Sequence, residues 1–214
     1  MVQQSPGKDN IILVTNSRQH QYRFPMNKIF HLLCAGLAFP FTLQLHALEV
    51  GDRAPDFQAI DDDGKKWESK YFRGKKLLLV YFYPAAMTGG CTKQACAFRN
   101  DRAKWKEKEV EVVGVSGDEH QNLALFKRAE GLNFTLLSDL DGKIARAFGV
   151  PAGKGGSIDR FVKGEKFTLN RGVTTKRWTF LLSKEGNVLY KNDKVQAARD
   201  SEMVLGFLDK DKSP

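Results

Sequence analysis

A chain of 214 residues, 42% of them hydrophobic, has room for one ordinary domain and enough apolar material for a proper core. The formal charge is +9, but residues 1 to 47 hold four basic residues and one acidic, so 30 basic residues face 24 acidic ones in the remainder. Those charges are interspersed, as in "DRAKWKEKEVE" and "KNDKVQAARDSE", which argues for a solvated surface and against nucleic-acid binding; no internal repeat or low-complexity tract is present.

In chain order, residues 1–25 form a polar leader without periodicity, and Met26 is a candidate start that would leave them outside the translated chain. Residues 26–47, with Lys28 followed by an apolar stretch and then Ala47, read as a secretory signal peptide cleaved after Ala47. The competing reading is an uncleaved anchor. His31, Pro40, Thr42 and Gln44 count against it, because a spanning helix wants about 20 strongly apolar residues. Leu33 before Cys34 does not fit a lipoprotein processing site, so Cys34 leaves with the signal. The expectation is an exported, periplasmic domain over 48–214, with no stable membrane insertion after cleavage, and with Cys91 and Cys96 as its one possible cysteine pair.

"FQAIDDDGKKWES" reads as a short hairpin turning at Asp63-Gly64, and "KKLLLVYFY" as a strand buried on both faces, since its apolar residues run continuously. Helix signals run from Cys91 to Lys108. "EVEVVGVS" is a second buried strand, ending at Ser116, and "DEHQNLALFKRAEG" a helix with Asp118 as N-cap and Gly131 past its end. "FTLLSD" is a third strand, "GKIARAFGV" a short helix, and "GSIDRFVKGEKFTLNRGVTT" an added hairpin around Lys163-Gly164. "RWTFLLSKEGNVLYK" gives two strands across Glu185-Gly186, and "VQAARDSEMVLGFLDK" a last helix presenting Met203, Val204, Phe207 and Leu208 to a core. This order predicts an α/β fold, a mixed central sheet with helices on both faces.

The chemistry sits in "YFYPAAMTGGCTKQAC". A strand ends near Pro84, Gly89 and Gly90 turn the chain, and a helix starts near Cys91, whose first-turn N–H groups and dipole stabilise a thiolate. Cys96 would lie five residues along the same helix, with Cα atoms roughly 8 to 9 Å apart by helical geometry. That exceeds the span of about 7 Å open to an unstrained bridge. A Cys91–Cys96 disulfide therefore conflicts with an intact helix, which suggests a bond made and broken in a cycle; the alternative is a static bridge pinning a non-helical loop. A metal site lacks ligands, because His120 is the one histidine left after signal removal, and it reads as a solvated surface residue. The spacing is not the C-x-x-C of a thioredoxin-type oxidoreductase, nor the C-x-x-x-C with a distant histidine of a copper carrier.

Pro84, Thr88 and Cys91, arranged P-x-x-x-T-x-x-C, resemble the active-site signature of peroxiredoxins, and Cys96 five residues on resembles the PrxQ, or bacterioferritin-comigratory, branch. The likeness runs from "LEVGDRAPDF" to the C-terminal helix and includes "KRWTFLLSKEGNV". It implies a thioredoxin-like α/β sandwich with an N-terminal hairpin extension. It also implies roles: Cys91 as peroxidatic thiolate, Cys96 as resolving thiol, Thr88 as hydrogen-bond partner of thiolate and peroxide, Pro84 as shield against water, and Arg177 as the guanidinium that stabilises both. The expected activity is thiol-dependent reduction of hydrogen peroxide or organic hydroperoxides without a cofactor or metal, with a thioredoxin-like dithiol protein as reductant and a monomeric state. The other reading is a non-enzymatic thioredoxin-like binding module with a static Cys91–Cys96 disulfide. Two departures bear on substrate and partner preference: Gly89 stands where the family usually has proline, and the chain between Val150 and Arg177 is long.

Overall fold

The computed structural model describes residues 46–210. A hairpin of β1 (Gln58–Asp61) and β2 (Lys66–Glu68) precedes β3 (Leu77–Phe82), the helices α1 (Gly89–Asn100) and α2 (Arg102–Glu107), and β4 (Val110–Ser116). Then come α3 (His120–Glu130), β5 (Thr135–Ser138), α4 (Lys143–Ala147), and a long hairpin of β6 (Ala152–Val162) and β7 (Glu165–Thr175). Two strands, β8 (Trp178–Leu182) and β9 (Val188–Asn192), and helix α5 (Asp200–Lys210) complete the order.

The apolar run of β3 lies inside a seven-stranded sheet ordered β2-β1-β5-β4-β3-β8-β9, parallel to β4 and antiparallel to β8. Strand period 2 sends Leu79 and Tyr81 to one face and Leu78, Val80 and Phe82 to the other. On the first face they meet Phe98 of α1, Phe126 of α3 and Val204 of α5; on the second, Ile144 of α4, Phe148, Phe57 and Trp67. The mixed sheet with helices on both faces is as expected, and the β1–β2 hairpin extends it through an antiparallel pairing with β5. Gly114 of β4 stands opposite Tyr81, and a Cβ there would come within 2.6 Å of the tyrosine ring. Glycine is what lets this aromatic lie flat on the sheet.

The added hairpin is a separate two-stranded sheet. Its turn has Lys163 at φ 52° and Gly164 at φ 85°, the two positive values that a tight two-residue hairpin requires. It seats on the domain through the Gly172 N–H, which donates to the Gly117 carbonyl at 2.9 Å, and through Leu169, which is fully buried in the first layer. Gly117 permits that approach, since a Cβ would meet the Val173 carbonyl oxygen at 2.2 Å.

Four local expectations are corrected. The helix from Cys91 to Lys108 is interrupted at Asp101, whose carboxylate accepts hydrogen bonds from Ser201 and Lys104. Asp118 does not cap α3; Glu119 is the N-cap residue and Asp118 is wholly buried. Gly131 ends that helix in the left-handed conformation, as expected. The last helix begins at Asp200 after a 3-10 turn, and Met203 is 41% exposed while Leu205 takes the buried position beside Val204 and Leu208. His120 is half-buried rather than solvated. The leader and signal segment lie outside the described residues apart from His46 and Ala47; among the described residues no helix is long and apolar enough to cross a membrane. The Leu48 N–H donates to the Phe148 carbonyl at 3.2 Å, tying the chain to the domain from that residue onward.

Candidate active site

Strand β3 delivers the chain to a tight loop, Tyr83–Thr88, and α1 begins at Gly89 with Thr88 as N-cap residue. Cys91 is therefore in the first turn, 1% exposed, among N–H groups that have no partner within the helix. Antiparallel pairing of β8 with β3 brings the residue just ahead of β8, Arg177, to the same end of the sheet. Its Nη2 lies 3.3 Å from Cys91 Sγ, a charge-assisted contact with the sulfur. Gly90 keeps the approach open, since a Cβ there would lie 3.3 Å from the same Nη2.

The guanidinium is aimed by a chain of side chains. Arg177 Nη1 donates to Gln94 Oε1 at 2.5 Å, Gln94 Nε2 donates to Asp200 Oδ2 at 2.7 Å, and Thr179 Oγ1 donates to the same oxygen at 2.7 Å. Gln94, Thr179 and Asp200 are all fully buried. Burial pushes the Asp200 carboxyl above its ordinary value, while its hydrogen bonds from Thr179 and Gln94 and the charge of Arg177 pull it back. Tyr81 and Tyr83, packed in the same layer as Cys91, are held neutral by burial, which drives both phenols well above 10. None of Gln94, Thr179 and Asp200 was anticipated from the sequence, although two signals point there. Gln94 is three residues from Cys91, on its face of the helix, and Thr179 is two residues from Arg177, on its side of the strand.

Of the expected site residues, the structure brings Cys91 and Arg177 into contact. Thr88 is adjacent in the chain, but its hydroxyl donates to the Ala85 carbonyl at 2.9 Å, closing the loop on itself and leaving its lone pairs free to accept. Pro84 is half-buried at the start of that loop, two residues beyond β3. Cys96 lies further along the intact helix, half-buried, with its Sγ 3.7 Å from Glu130 Oε2 at the end of α3. Burial raises the Cys96 thiol above its usual range; the Arg99 charge lowers it, and Glu130 raises it again. Both thiols are free.

The family described as AhpC/TSA matches residues 50–191. The chain is 36% identical to peroxiredoxin Bcp of Escherichia coli K12 over 165 residues, covering 77% of this chain and 97% of that protein. It is 40% identical to chloroplastic peroxiredoxin Q of Gentiana triflora over 159 residues, 74% of this chain and 65% of that one. Among solved structures, the bacterioferritin comigratory protein of Xanthomonas campestris, studied for alkyl peroxide reduction, superposes with a TM-score of 0.60 at 27% identity, covering 78% of this chain and 98% of that one. A thioredoxin-like sheet that sets a first-turn cysteine against an arginine, in a chain with these relatives, belongs to a thiol peroxidase: the protein is a member of the AhpC/TSA family, a peroxiredoxin of the Bcp/PrxQ kind.

Proposed function

We propose that Cys91 is the peroxidatic residue and Cys96 the resolving one in the reduction of hydrogen peroxide or organic hydroperoxides. The observation that carries this is the Arg177 guanidinium 3.3 Å from Cys91 Sγ at the first turn of α1. The Cys91 thiolate attacks one peroxide oxygen, an S–O bond forms, the O–O bond breaks, and the departing oxygen takes a proton to leave as water or an alcohol. Arg177 is placed to hold the sulfur and the charge that develops on the departing oxygen. Thr88 offers an oxygen lone pair at the loop, and Pro84 covers the strand end against water. Cys96 then attacks the Cys91 sulfenic acid, forming the disulfide and releasing water. Because both residues lie on α1, the first turns of that helix must open for the bond to close.

The disulfide would be reduced by a thioredoxin-like dithiol protein, with the enzyme acting as a monomer. Export as a periplasmic form beginning at Leu48 is supported by Lys28, the apolar run and Ala47.

Mass spectrometry of the reduced protein before and after one equivalent of peroxide tests the chemistry. The expected product is a loss of two hydrogens confined to a peptide pair holding Cys91 and Cys96, with Cys96→Ser stopping at a Cys91 sulfenic acid. An unchanged Cys91 would sink the assignment. N-terminal sequencing of the exported form, expected to start at Leu48, settles the processing; retention of Met1 or Met26 would mean an anchor instead.

A further inference from the structure

The β6–β7 hairpin reaches the loop that leads into Cys91. Within that loop Met87 has φ 56°, a left-handed conformation that a residue with a side chain adopts at a cost and keeps only when its surroundings fix it. The fixing is visible residue by residue. The Tyr83 carbonyl accepts from Thr175 Oγ1 at 3.0 Å, the Ala86 N–H donates to Asp118 Oδ2 at 2.8 Å, and the Met87 carbonyl accepts from Arg160 Nε at 2.7 Å. Thr175 and Arg160 both belong to the hairpin, one at the end of β7 and one on β6. Arg160 is itself oriented, because its Nη1 donates to the Asp159 carbonyl at 2.8 Å, and its half-buried stem lies on the same side of β6 as Ile158 and Val162, which pack on the first layer. The residue after Met87 is Thr88, the N-cap residue of the helix that carries Cys91.

We propose that Arg160 is a positioning residue for peroxide reduction: by holding the Met87 carbonyl it fixes the loop so that Thr88 and the first turn of α1 present Cys91 in line with the peroxide bond. The proposal rests on the reading of Cys91 as the attacking thiol. Attack on an O–O bond needs sulfur and both oxygens nearly collinear, and a misplacement of about 1 Å can cost ~10²-fold in rate. Alkylation of the same sulfur by iodoacetamide makes no use of Thr88 or of an oxygen-binding geometry. The two reactions therefore separate loop position from thiol availability. A residue with a merely structural role would alter both alike.

The test uses the full chain in a Cys96→Ser background, with Cys91 followed by peptide mass. Arg160→Met keeps an apolar stem and loses the donor, whereas Arg160→Lys keeps a donor without the fixed planar fork. Expected is a loss of about tenfold in sulfenic acid formation for Arg160→Met and about threefold for Arg160→Lys, with alkylation within twofold of the parent in both. A parental peroxide rate in Arg160→Met overturns the proposal, as does an equal loss in peroxide and iodoacetamide reactions. If Arg160→Met does not fold, Arg160→Lys decides alone, and a parental rate there overturns it. A parent protein whose Cys91 forms no sulfenic acid would refute the assignment of Cys91 itself, and that is seen before any Arg160 variant is compared.

Discussion

Cys91 and Cys96 are the same residue type on the same helix, five positions apart, and their surroundings are opposite. Cys91 is buried in the first turn and faces a cation, Arg177, that is locked by Gln94 and Asp200. Cys96 is half-buried just past the second turn and faces an anion, Glu130, with burial and that carboxylate together outweighing the Arg99 charge and holding its proton in place. The contrast separates two jobs. On the proposed roles, one sulfur would be set for attack on a small oxidant, while the other would be kept from competing for it until the helix opens.

The largest expected effect breaks the Cys91 side. Arg177→Met should slow sulfenic acid formation by about 10²- to 10³-fold, the usual cost of losing a preorganised donor at a developing oxyanion. Stopped-flow with peroxide reads it, and a rate within threefold of the parent would remove Arg177 from the site. A smaller effect comes one link further back. Asp200→Ala leaves the buried Gln94 amide and Thr179 hydroxyl without their acceptor. The cost should be about 1–3 kcal/mol of stability, and the peroxide rate should fall about tenfold as Arg177 loses its aim. Asp200→Asn keeps an acceptor oxygen and should keep the rate.

Asp200 also makes a pH prediction. Its carboxyl is raised in the fold, so its contribution to stability is full below the ordinary value of 3.8 and is lost as pH rises through the raised value. Denaturant melts should therefore show the asparagine variant gaining on the parent between acid and neutral pH. A constant difference across that range would place the Asp200 titration elsewhere.

What the sequence made legible follows from how local each signal is. The run "KKLLLVYFY" followed by proline and paired glycines marks a buried strand turning into a helix, and that alone puts Cys91 at a helix start. Arg177 is one of 34 basic residues and nothing local singles it out. Only the family motif singles it out, and its contact with Cys91 depends on β8 pairing with β3 across about a hundred residues. An Asp ahead of a helical pattern is what a cap looks like, but burial by the added hairpin and by the loop at Ala86 gives Asp118 another use. Asp200 sits far from the motif in sequence and meets Gln94 through the docking of α5 against α1. The hairpin itself is legible in its turn, but its grip on Met87 is a contact between two surfaces and leaves no trace in periodicity.

The smallest expected effect probes the Cys96 side. Glu130→Gln removes a charge that helps hold the Cys96 proton and leaves a group of the same shape within 3.7 Å. The thiol should then ionise at lower pH, because burial and the Arg99 charge remain while one of the raising influences is gone. More thiolate at neutral pH speeds closure of the disulfide, but intrinsic nucleophilicity falls as the thiol becomes more acidic and offsets roughly half of the gain. The net expectation is a twofold to threefold faster closure at pH 7, converging with the parent at alkaline pH, and an unaltered first step at Cys91. Rapid quench with mass detection follows the two steps separately. Slower closure at every pH would reverse the interpretation: Glu130 would then be accepting the Cys96 proton during attack, and the anion facing the second cysteine would be part of its activation rather than a restraint on it.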